Sequence, residues 1–170
     1  MKAEYHFSGL VPFAPTQDAI HLGLLKVGRI PPHLVLTVGE KYFSLEKEKC
    51  VVNGDLGLLV AKLNRNGTEC LFVPLPRIAK GDAIQWANGA YLKFPAANNG
   101  FTCLDPIKLF TAKAYGWQTE AATVVFDLLD MLEESTLLRS AHIHLPKAQL
   151  TLHRYEREDV LRHIALLDGR

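Results

Sequence analysis

HLVLTVGEKYFSLE, residues 33–46, alternates apolar and polar side chains on either side of Gly39-Glu40. Alternation at period two marks β-strands, and a glycine-led two-residue loop suits a tight type II′ hairpin turn. Counting outward from that turn sets Val38 opposite Lys41, Thr37 opposite Tyr42, Leu36 opposite Phe43, Val35 opposite Ser44, Leu34 opposite Leu45 and His33 opposite Glu46. Leu34, Leu36, Val38, Phe43 and Leu45 then share a core face. His33, Val35, Thr37, Tyr42, Ser44 and Glu46 share the other, with the Cβ atoms of His33 and Glu46 roughly 5 Å apart. A carboxylate in that position accepts a hydrogen bond from one imidazole nitrogen, fixes the tautomer and raises the basicity of the ring, so the second nitrogen is free to take a proton. The same pair also fits plain surface chemistry on a solvated hairpin face.

The flanking sequence supplies helices and further strands. Residues 1–32 hold four of the nine prolines and read as lead-in structure, with TQDAIHLGLLKV (16–27) either a short strand or an amphipathic turn. NGDLGLLVAKLNRNG (53–67) reads as a helix with Asp55 as N-cap, Leu58, Leu59 and Leu63 at helical spacing, and Asn66-Gly67 as its stop. TECLFVPL (68–75) reads as a strand ended by prolines, and residues 77–101 as a long surface loop with one helical turn around Asp82 to Trp86. TCLDPIKLFTAKAYG (102–116) is predicted helical, with Thr102 or Asp105 as N-cap, Pro106 in the first turn and Gly116 as the stop. A second amphipathic helix is predicted over 119–135, two strands around Pro146-Lys147 in 141–155, and a closing helix over 156–167. This order implies α+β, with an antiparallel sheet packed against helices in one domain spanning 1–170.

At 170 residues the chain can bury roughly two-thirds of its unfolded surface in one core. A net charge of +1 with 22% charged residues gives no bulk attraction to nucleic acid or anionic membrane, so a small-molecule or peptide partner is expected. No run approaches the roughly 18 apolar residues of a membrane span, and no export signal is visible. Cys50, Cys70 and Cys103 are an odd set at long spacings, which fits neither a disulfide framework nor a paired-cysteine metal site. A cytoplasmic setting with reduced thiols is the expectation. Cys50 and Cys70 lie in apolar, strand-like surroundings and are expected to be inert.

Cys103 is different. In NNGFTCLDPIKLFTAKAY it opens a helix after an Asn/Gly-rich approach, where free backbone N–H groups and the helix dipole favour thiolate and offer donors to an oxyanion. Asp105 opposes this by its charge, and burial as a small hydrophobe is the plainer alternative. Taken together, QDAI, HLVLTV and TCLDPIKLFTAKAY resemble the permuted relatives of NlpC-type cell-wall peptidases and amidases, which are papain-like. In that family a His-Val-Gly-Ile-Val strand follows an aspartate-led segment, and a helix opens near Cys-Ser-Glu-Leu-Val. The resemblance spans residues 18 to about 116 and leaves 117–170 as additional helices and strands. It departs from the family in Asp105-Pro106 and in lacking a serine after Cys103. It implies Cys103 as nucleophile, His33 as general base and later acid, and Glu46 as orienter, with Ser44 as the other alignment for that third position. The implied reaction is hydrolysis of an amide or ester, such as a cell-wall peptide or acyl substrate, through a thioester.

Other constellations compete. His142 and His144 share a strand face, and His153 joins them if the next strand folds back, a geometry suited to zinc; no carboxylate completes it, and no metal or cofactor is assigned. His21 also precedes an apolar run and rivals His33. Trp86, Tyr91, Phe94 and Trp117 are candidates to line a cleft, with Tyr91, Tyr42 and Ser44 the expected substrate contacts. No glycine-rich phosphate loop is present. Arg154, Arg157, Arg162 and Arg170 alternate with acidic residues as on a solvated helix face. A catalytically silent α+β domain that binds or assembles is the alternative function.

Overall fold

The computed structural model describes residues 2–97 and 100–168. The chain opens with strands β1 (Glu4–Ser8), β2 (Val11–Pro12) and β3 (Ile20–Leu25). The hairpin β4 (His33–Val38) and β5 (Lys41–Leu45) follows, then β6 (Cys50–Asp55), α1 (Leu56–Arg65) and β7 (Cys70–Pro74). Two twelve-residue helices come next, α2 (Lys80–Tyr91) and α3 (Leu104–Tyr115). The chain ends with α4 (Val125–Leu129), α5 (Glu134–Leu137), β8 (Ala141–Ile143), β9 (Gln149–His153) and α6 (Arg157–Asp168). The fold is α+β, as expected.

Seven strands form one sheet in the order β2-β8-β7-β3-β4-β5-β6, and β1 pairs with β9 in a separate ribbon. Every neighbouring pair is antiparallel except β2 with β8. The hairpin has the counted register from Val38–Lys41 to Val35–Ser44. Gly39 turns it at φ +56°, and a Cβ there would fall 2.5 Å from the Gln17 carbonyl oxygen, so the turn needs glycine on both counts. Leu34, Leu36, Val38, Phe43 and Leu45 all enter the main core, against which α2 and α3 pack. The opposite face is covered too. Leu25, Val35, Cys70 and Phe72 join Leu63 of α1 in a second core, which buries Thr37 and Ser44 beside it.

The edges of the sheet are irregular. On β6, Asn53 adopts φ +55° and the pairing with β5 shifts register between Tyr42 and Ser44. Gly54 lies under the Tyr42 ring, where a Cβ would come within 2.3 Å. At the other edge, β2 is two residues long and ends in Pro12.

Two expectations are sharpened and two need correction. In the lead-in segment, residues 16–27 take the strand alternative, and β3 lies between β4 and β7 within the sheet. Residues 77–101 are not chiefly loop: α2 runs through them, burying Ala83, Ala87 and Ala90 along one face. The long helix over 119–135 is replaced by the short α4 and α5. Lys108 holds this segment with bonds from Nζ to the Glu120 and Ala122 carbonyls, and Thr119 donates to the Lys108 carbonyl instead of capping a helix. The two strands expected around Pro146-Lys147 are present as β8 and β9, in separate sheets, since β8 joins β7 and β9 joins β1.

Arg154, expected on a solvated helix face, directly follows β9 with a side chain only 6% exposed. It donates to Asp127 and, at 3.0 Å, to Asp130, whose carboxylate also accepts from the Tyr5 hydroxyl. This network fastens the β1–β9 ribbon to α4.

Candidate active-site cleft

Cys103 occupies the N-cap position of α3, but its side chain caps nothing. The Thr102 hydroxyl supplies the cap by accepting from the Leu104 amide at 3.3 Å, while Asp105 folds back to accept from the Thr102 amide at 2.6 Å and the Thr102 hydroxyl at 3.1 Å. The helix ends at Gly116, the expected stop, which adopts the left-handed conformation. Asn98 and Asn99, part of the approach to the cysteine, lie outside the described residues. The Cys103 thiol is half-buried, and desolvation pushes its pKa up to about 11, with the Asp105 charge adding to the rise and the Leu34 amide and its own backbone amide opposing it. The expected depression is therefore reversed: burial outweighs the helix N-terminus. Cys50 and Cys70 are raised by burial as well, and all three cysteines are free.

His33 opens β4. Strand alternation and its antiparallel partner Leu25 set it on the α1 face of the sheet with Val35, while Leu34 and the Cys103 thiol lie toward α3. Its Nε2 is 2.8 Å from the Ser44 hydroxyl. Desolvation lowers the imidazole pKa and the positive Lys26 lowers it further, against the opposing pull of Glu46. The ring is therefore neutral near pH 7.

Among the described residues Glu46 makes no hydrogen bond to His33, and the hairpin ladder stops at Val35–Ser44. β5 ends at Leu45, and the chain turns so that the Glu46 amide donates to the Lys49 carbonyl at 2.8 Å and the carboxylate lies 3.6 Å from Lys49 Nζ. Ser44, the alternative third position, makes the imidazole contact instead.

His33 and Cys103 nevertheless line the same cleft, of about 220 Å³, with Leu34, Leu104, Val124 and Tyr155 among its apolar walls. Lys47 is the one permanently charged side chain among its described lining residues. On the α1 face, His33 also borders a cleft of about 340 Å³ shared with Tyr42, Ser44, Glu46, Lys26 and Lys62. Tyr91, an expected substrate contact, lines neither. It is fully buried against Phe43, with ring centroids 5.6 Å apart, its hydroxyl has no hydrogen-bond partner among the described residues, and burial raises its pKa well above the ordinary tyrosine value. Val124 and Tyr155 reach the cysteine cleft from parts of the chain that sequence reasoning placed outside the site. Their only local signal is apolar character, and their placement depends on α4 and on the Arg154 network.

The histidine constellation is dispersed. His144 Nε2 is bonded to the Asn64 carbonyl at 2.8 Å, and His153 Nδ1 lies 2.9 Å from Glu4 on the separate ribbon. Among the described residues no group of three or more His, Cys, Asp or Glu side chains is placed to hold a metal ion, and no helix is long and apolar enough to cross a membrane. In comparisons with known proteins, no family model matches this chain, and neither a curated protein nor a solved structure matches it.

Proposed function

We propose that this protein is a cysteine hydrolase of amide or ester bonds that carry an apolar acyl group. The observation that supports it is the shared cleft: the half-buried thiol at the head of α3 and the histidine at the head of β4 border one apolar cavity. A neutral thiol and a neutral imidazole describe a general-base site with no resting ion pair. In the acylation step His33 takes the thiol proton as Sγ forms a bond to the carbonyl carbon, and the departing amine or alcohol receives that proton as the acyl bond breaks. Water then attacks the thioester, giving its proton to His33, and the thiol regains a proton as the acid leaves. Ser44 positions His33 by holding Nε2, and Nδ1 is then the nitrogen available for proton transfer.

A second reading, an apolar ligand-binding domain without chemistry, is favoured by one specific observation. The imidazole lies on the α1 face and the thiol toward α3, with no hydrogen bond between them among the described residues.

Incubation with p-nitrophenyl hexanoate, followed by peptide mass spectrometry, separates the two. The hydrolase acquires a hexanoyl group on Cys103, turns the ester over, and loses both properties in Cys103→Ala. Reversible binding of the ester with no acylation of Cys103 would establish the binding domain and end the hydrolase proposal.

A further inference from the structure

A different cleft, of about 720 Å³, lies where the end of β7 and the start of β3 meet the segment around α5. Its size is within the range of small-molecule sites, roughly 300–1,000 Å³. Arg77 and Arg139 both line it, and neither forms an ion pair or a side-chain hydrogen bond among the described residues. Two guanidinium groups bordering one concavity without a counter-ion contrast with Arg154, which is ion-paired with both Asp127 and Asp130. The cleft has one carboxylate in its lining, Glu133, which pairs with neither arginine.

The remaining walls favour a flat ligand. Trp117 is half-buried and packs on Tyr115 with centroids 5.1 Å apart, and the Tyr115 hydroxyl donates to the Pro76 carbonyl at 2.9 Å, which fixes this aromatic wall. His21 adds a polar edge. Its Nδ1 is 3.4 Å from the Thr37 hydroxyl, its ring stands edge-on to Phe13, and burial keeps it uncharged by lowering its pKa to about 4. Guanidinium forks bind carboxylate and phosphate oxygens bidentately, as point charges do not.

We infer that this cleft binds a small aromatic oxyanion, an aryl phosphate or aryl carboxylate, whose charged group lies between Arg77 and Arg139 and whose ring lies against Trp117. None of these residues lines the Cys103 cleft, so the site stands or falls independently of the hydrolase proposal.

The test is a titration of the full chain with 1-naphthyl phosphate, followed by quenching of tryptophan fluorescence. Quenching persists in Trp86→Phe and disappears in Trp117→Phe. Arg77→Gln and Arg139→Gln each weaken binding about tenfold or more, the order expected for losing a charge-assisted hydrogen bond, and Arg77→Lys falls between. Both arginines are exposed, so a melting curve superimposable on the parent is expected for each variant. Cys103→Ala leaves the titration unchanged. Equal binding of neutral 1-naphthol, or unaltered affinity in the folded Arg77→Gln/Arg139→Gln double variant, would overturn the assignment.

Discussion

His21 and His33 begin alike. Each opens or nearly opens a strand, each projects toward the α1 face, and each meets a hydroxyl on the neighbouring strand, Thr37 for His21 and Ser44 for His33. Burial lowers both imidazole pKa values. What separates them is their surroundings. His21 sits among the rings of Phe13 and Phe72 with burial alone acting on its charge. His33 feels a carboxylate and an ammonium of opposite effect and borders the cleft that holds Cys103. A histidine followed by apolar alternation therefore specifies a strand position, whereas its chemistry comes from side chains that the fold brings in from elsewhere.

The widest predicted gap between the two is catalytic. His33→Ala should slow acylation of Cys103 by about 10²–10⁴-fold, the usual contribution of a general base, while His21→Ala leaves the rate per folded molecule within about twofold. Equal rates in both variants would erase the distinction.

Acid stability should separate them in the other direction. The folded pKa of His21 is depressed from 6.5 to about 4, so the fold favours the neutral ring. That stabilisation is complete above pH 6.5 and is lost as the pH falls through 4, amounting to about 2–3 kcal/mol. His33 acts with the same sign. Urea unfolding at pH 7 and pH 4 should show a smaller pH-dependent loss in His21→Gln than in the parent, and an identical loss would remove His21 from the acid response.

Smaller effects concern how His33 is held. Ser44→Ala should slow acylation about fivefold, in keeping with one hydrogen bond near 1 kcal/mol, and Ser44→Thr, which keeps the hydroxyl, should recover part of the rate. The smallest effect is expected of Glu46→Gln: a further fall in the His33 pKa followed by NMR titration, with the acylation rate changed by less than about twofold. A rise in that pKa would mean that Glu46 does not act on the ring as its position implies.

The legible parts of this fold are those specified within a few residues. The hairpin register follows from alternation and from a glycine at positive φ. Helix α1 has the cap read from its sequence, with Asp55 accepting from the Leu58 amide at 3.0 Å. α2 was hidden because its buried face is alanine and its polar face carries Gly81, Asn88 and Gly89, so large-residue periodicity is missing. The site divides in the same way. Cys103 at a helix head and His33 at a strand head were readable, as was Ser44 on the same face as His33. The failure at Glu46 came from extending the ladder past Leu45, where the Glu46–Lys49 turn takes over. The raised Cys103 pKa depends on burial by segments far away in sequence, and so does the Tyr5–Asp130–Arg154 network.

The two edges of the seven-stranded sheet bear on how the molecule behaves in a crowd. A regular edge strand offers a row of unpaired N–H and C=O groups to any extended chain, and a second copy is the most available one. Here Pro12 removes a donor from the two-residue β2, and the left-handed Asn53 with the register shift beside it breaks the row along β6. Neither edge presents a straight template, so the sheet is shielded against growth by strand addition and against the aggregation that begins there.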